Sequence, residues 1–75
     1  MDLGVAHARH SVALDLASRT GDRREEANAH NGLAHVCRHT GDVDQAREHW
    51  QAALTFYAEY GLPEAAEIED QIRQL

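Results

Sequence analysis

Gly21, Gly41 and Gly61 stand twenty residues apart, and each follows a residue that can close a helix: Thr20, Thr40 and Tyr60. Glycine enters the left-handed backbone region without steric penalty, and that is where helices commonly stop. Start signals come directly after the stops. Asp22-x-x-Glu25 and Asp42-x-x-Gln45 read as capping boxes, and Pro63 suits the first turn of a helix whose Glu64 and Glu67 oppose the positive end of the dipole. This punctuation predicts an all-α chain of four helices, at about 3–20, 23–40, 43–59 and 63–74, in one domain spanning 1–75. Connections this short force successive helices antiparallel, as stacked hairpins.

Apolar spacing supports helix rather than strand. Leu3, Ala6, His10, Ala13, Leu14 and Ala17 recur in steps of three and four, with Val5, Val12 and Leu16 as a second stripe that predicts cover on two sides. The third segment repeats the pattern through Val43, Ala46, Trp50, Ala53, Leu54 and Tyr57, while Ala27, Leu33, Ala34, Val36 and Cys37 serve the second and Ala65, Ile68, Ile72 and Leu75 the fourth. The predicted core is Leu14, Leu33, Ala34, Ala46, Trp50, Ala53 and Leu54. Small Ala34, Ala46 and Ala53 let helices approach to about 8–10 Å, and Trp50 fills the gap beside them.

Composition closes off several function classes. No apolar run approaches the ~18 residues of a membrane span, and Met1-Asp2-Leu3-Gly4 lacks the basic-then-apolar pattern of a signal peptide, so a cytoplasmic location is expected. Cys37 is the single cysteine, which excludes an internal disulfide and a zinc site of paired cysteines, and it reads as a small core residue. The net charge of −6 lies wholly in residues 41–75, where Arg47 and Arg73 face Asp42, Asp44, Glu48, Glu59, Glu64, Glu67, Glu69 and Asp70. Such a surface repels phosphate and argues against direct nucleic-acid binding; a helix-turn-helix over 27–60 would place Asp42 and Asp44 at the start of its recognition helix. Neither a glycine-rich phosphate cradle nor a nucleophile elbow occurs, so no catalytic residue and no cofactor are assigned.

Sliding the chain by forty residues lays Ala6 on Ala46, His10 on Trp50, Ala13-Leu14 on Ala53-Leu54 and Gly21 on Gly61, so the repeating unit is a helix pair. With Leu33-Ala34, Gly41-Asp42, Ala46, Trp50 and Ala53-Leu54, and Cys37 at a position often held by Tyr, the chain resembles the tetratricopeptide repeat family. Its forty-residue period resembles the extended repeats attached to large actinobacterial regulators and signalling ATPases. His30 stands where that family prefers Trp, and Ala58 where it prefers Pro. The resemblance implies that 3–20 is the second helix of a partial repeat, 23–59 a full repeat, and 63–74 the next first helix or a cap. Repeat arrays usually need about three units to bury a continuous core, so the chain is expected either to belong to a longer protein or to pair with a copy of itself.

The same resemblance implies a noncatalytic module that binds a protein or peptide partner along a concave face. Carried over position by position, the binding stripe is Asn28, Asn31, His35, Arg38 and His39, continued on the fourth helix by Glu67, Asp70 and Gln74. An asparagine amide can pair with an extended peptide backbone, and an arginine can clamp a carboxylate. Two alternatives come from the residues themselves. Val5, Val12 and Leu16 at one end and Ile68, Ile72 and Leu75 at the other offer apolar faces for a homo-oligomer. His35-x-x-x-His39 places two imidazoles one turn apart, a start toward metal binding that lacks the three or four ligands of a zinc site, so no metal ligand is assigned; His7 and His10 form a similar pair. Protonating the six histidines takes the charge from −6 toward zero. Solubility should therefore fall as pH drops below about 6, and light scattering that stays flat down to pH 5.5 would refute this.

Overall fold

The computed structural model describes residues 2–75. Among them run four helices, α1 (Leu3–Thr20), α2 (Arg23–Thr40), α3 (Val43–Glu59) and α4 (Glu64–Gln74), and no strand. The expected all-α hairpin architecture is present, with α4 starting one residue late: Pro63 sits just before the helix and closes a turn in which the N–H of Ala66 donates to its carbonyl. No helix among the described residues is long and apolar enough to cross a membrane.

The turns explain the period. Gly21, Gly41 and Gly61 have φ of 71°, 87° and 63°. After each, the next residue's N–H reaches back five positions, Asp22 to Ala17, Asp42 to Cys37 and Leu62 to Tyr57, at 2.8–2.9 Å, as in a Schellman closure. Asp22 and Asp42 then cap the following helices by accepting from the N–H groups of Glu25 and Gln45, both at 3.1 Å. Only this half of each capping box forms. The reciprocal arm would need the aspartate's own N–H, which the Schellman bond has already taken. Asp2 caps α1 in the same way, accepting from Gly4 and Val5.

Helices pack in chain order, α1 on α2, α2 on α3 and α3 on α4, as a slab of 31 × 31 × 18 Å. The core lies between α2, α3 and α4: Ala27, Ala34, Cys37, Ala46, Trp50, Ala53, Tyr57 and Ile68, with Leu54, Phe56, Leu62, Ala65, Ile72 and Leu75 packed against it. Trp50, Ala34, Ala46 and Ala53 are 0% exposed and Leu33 is buried, as expected. Two predicted core residues are not: Leu14 and Leu54 are only half-buried, and Ala13 is exposed. Leu54, on α3, packs against the core from its edge; for Leu14 and Ala13 the reason is that α1 has a neighbour on one side only. Ala17 is its one fully buried residue, and its second stripe faces solvent, with Val5, Val12 and Leu16 at 47, 68 and 61% exposure.

Gly32 sits in mid-helix, where glycine costs about 1 kcal/mol relative to alanine. The imidazole of His10 from α1 lies over it, in the space a Cβ would occupy. At the far end of the α2–α3 pair, Arg23 pairs with Glu59 at 2.8 Å and lies 5.8 and 6.0 Å from the ring centroids of Phe56 and Tyr60. Trp50 carries the largest share of the core, so Trp50→Ala should cost about 3–5 kcal/mol, comparable to the whole stability of a domain this small. Its thermal melt should show little or no folded baseline; a transition within a few degrees of the parent's would contradict this.

Candidate functional site

Burying a Trp and a Tyr requires partners for an indole N–H and a phenolic O–H. Both come from α2. Nε1 of Trp50 donates to Oδ1 of Asn31 at 2.9 Å, and the hydroxyl of Tyr57 donates to Oδ1 of Asn28. Trp50 and Tyr57 are two turns apart on α3 and Asn31 and Asn28 one turn apart on α2, so both bonds cross the same α2–α3 seam, converging on one stretch of α2. Nδ1 of His30 lies 2.9 Å from Nδ1 of His49 on the same seam, and the Cys37 thiol points toward Oε1 of Gln45 at 3.9 Å. Burial, and then the carboxylate of Asp42, push the Cys37 thiol up; burial pushes the Tyr57 hydroxyl up. Among the described residues no buried side-chain nitrogen or oxygen lacks a partner.

This seam divides the predicted stripe. The amide of Asn28 is used internally, since its Nδ2 also donates to Glu25 at 3.3 Å, and it lies outside the cleft described below. Asn31 and His35 look across to α4, where with Glu64, Glu67, Ile68, Asp70 and Gln71 they line a cleft of about 300 Å³. The ring of His35 stands edge-on to Trp50, centroids 5.2 Å apart at 90°. Its pKa is lowered, first by partial burial and then by His39, Arg38 and His10. Arg38 bridges the helices by donating to Oε1 of Gln71, with Gln74 at 3.5 Å. It is therefore a strut at the rim rather than a free clamp. Asp70 lines the cleft and accepts from Arg73 at 3.3 Å and Gln74 at 3.0 Å. His39, one turn on from His35, lies instead in a second cleft against α1, which His35 also borders, with Leu3, Ala6, His10, Gly32 and Val36.

So the structure brings together Asn31, His35 and Asp70, sets Arg38 beside them, and separates off Asn28 and His39. Glu64 and Gln71 are cleft residues that the stripe missed. Extending the four-residue step from Glu67 along α4 reaches Gln71, and Glu64 is one turn behind. Ile68 is a correction of another kind. Taken as part of an exposed face for pairing, it is 3% exposed and floors the cleft, while Ile72 and Leu75 are half-buried against the core. The α4 end therefore has no open apolar face.

His35 and His39 do not complete a metal centre: among the described residues no three His, Cys, Asp or Glu side chains gather where they could hold an ion. Comparisons with models of protein families, with curated proteins and with solved structures find no match. If Asn31 is the partner of the buried indole, Asn31→Ala leaves that N–H unsatisfied and should cost about 1–3 kcal/mol. His39→Ala, at an exposed position, should stay within about 0.5 kcal/mol of the parent. Urea melts of the two variants compare these directly, and equal effects would remove the structural role given to Asn31.

Proposed function

We propose that this chain is a noncatalytic, tetratricopeptide-like interaction module that binds an extended, basic peptide segment of a protein partner in the cleft between α2 and α4. The observation that carries this reading is the cleft's lining. Glu64, Glu67 and Asp70 stand along one wall, the amide of Asn31 and the imidazole of His35 along the other, and Ile68 lies at the base. Carboxylates at the edge favour Lys or Arg side chains, the side-chain N–H of Asn31 is placed to meet a peptide carbonyl, and an apolar base takes one hydrophobic side chain. Glu64 and Glu67 form no ion pair among the described residues, so their charge faces the cleft uncompensated. The charge of −6 adds long-range attraction for a cationic partner. The proposed setting is a segment of a larger bacterial regulator acting in the cytoplasm.

Pairing of two copies is a second reading, favoured by the exposed Val5, Val12 and Leu16 on α1. It predicts a sedimentation coefficient that rises with concentration, and a strict monomer at high micromolar concentration would end it.

The primary reading is tested by fluorescence anisotropy with a labelled nonapeptide carrying Arg at both ends and Leu at its centre, beside the same peptide with Glu for Arg. The basic peptide should bind, more weakly as salt rises, and the double variant Glu64→Gln, Glu67→Gln should lose at least about fivefold in affinity, or ~1 kcal/mol. Equal binding of the acidic peptide, or an unaltered double variant, would overturn it.

A further inference from the structure

Of the six histidines, two face each other across the main helix seam. Nδ1 of His30 on α2 and Nδ1 of His49 on α3 are 2.9 Å apart, with ring centroids 5.2 Å apart and planes tilted by 36°. That centroid separation is what two imidazole radii laid end to end around a 2.9 Å contact leave. The two nitrogens therefore point along one line at each other instead of converging on a third point. This is the geometry of an N–H···N hydrogen bond, not of a chelate. One ring carries its proton on Nδ1 and donates; the other carries it on Nε2 and accepts. Both rings are half-buried.

We propose that His30 and His49 form an acid-released latch between α2 and α3 that accepts one added proton and opens on the second. Proton accounting gives the order. In the neutral pair the donor ring has one bare nitrogen, its Nε2, so the first proton settles there. The N–H···N bond becomes charge-assisted and survives. The second proton has one place left, Nδ1 of the acceptor ring, which is the atom holding the bond. Adding it replaces an attractive contact by two imidazolium rings pressed together at the seam.

The surroundings set the direction. Burial lowers the pKa of both rings; His49 lowers that of His30 further, and Glu26 on α2 raises it in part. For His49, Glu48 on α3 raises it and His7 on α1 lowers it. The Glu26 carboxylate also accepts from the Ser18 hydroxyl of α1 at 2.7 Å. Because the folded pKa values lie below the unfolded value of ~6.5, the unfolded chain binds more protons beneath that pH. The latch's stabilisation is full above about pH 6.5 and is lost as pH falls through the folded values.

The test has two independent readouts on the whole chain. In the parent protein, long-range proton–nitrogen NMR near pH 7.5 should show one of these rings as the Nδ1–H tautomer and the other as Nε2–H. Two Nε2–H rings there, or native spectra with both Nδ1 atoms protonated at pH 5, would overturn the proposal. The second readout is the folding constant from urea melts between pH 7.5 and 5, for the parent and for His30→Phe, which keeps an aromatic ring and removes the proton site. The parent's constant should fall more steeply, by up to about tenfold per pH unit for one linked proton. His39→Gln, which replaces a histidine that acts on neither ring, should follow the parent. Parallel curves for parent and His30→Phe would overturn the latch, and neither measurement involves a peptide or the α2–α4 cleft.

Discussion

The hydrogen bond from the Trp50 indole to Asn31 constrains the rest of the molecule, because it joins the largest buried side chain to a polar residue on the opposite helix. Alanines 34, 46 and 53 bring α2 and α3 close enough that one indole fills the space between them. An indole so enclosed cannot turn its N–H to water, so the facing helix must supply an acceptor at that level. Tyr57 imposes the same demand two turns along, and Asn28 answers it. These two bonds fix the register of the hairpin, and the His30–His49 contact and the Cys37–Gln45 approach lie along the line they define.

That register decides which polar residues are left facing the α2–α4 cleft. Asn28 is consumed, and Asn31 offers its amide N–H while its oxygen is held. His35 is braced edge-on by Trp50 and looks into the cleft that α4 completes. The site and the core thus share residues, and the acidic wall is carried by α4, which packs on α3 through Ile68 and whose Gln71 and Gln74 meet Arg38 of α2. The charge asymmetry of the chain is therefore also an asymmetry in space, with carboxylates lining one rim and amide and imidazole the other.

The two ends of the helix row differ for a related reason. α4 turns Ile68, Ile72 and Leu75 inward, whereas α1 buries one alanine fully and leaves Val5, Val12 and Leu16 in water. Both helices show apolar stripes in the sequence. What separates them is width: α4 has one stripe, which packs on α3 and the core, while α1 has two stripes and only α2 to cover them.

Local physics made most of the helix boundaries legible. Glycine's freedom at positive φ and aspartate's ability to cap a helix act within five residues, so Gly21, Gly41, Gly61, Asp22 and Asp42 could be read without knowing anything distant. The small-residue and tryptophan pattern of the α2–α3 seam was legible for the same reason, since helical period alone puts Ala46, Trp50 and Ala53 on one face. Pairing between helices was not. Whether Leu14 is covered, whether Asn31 serves a ligand or an indole, and which neighbour His39 faces depend on side chains nineteen or more residues away, or on a neighbouring helix whose rotation no local signal encodes. One strand of sequence therefore determined where each rod begins, ends and turns its apolar face. Tertiary packing decided which polar groups are spent on closing the core and which are left at the cleft, because a buried N–H or O–H takes its acceptor from whichever residue the opposing helix brings to its level.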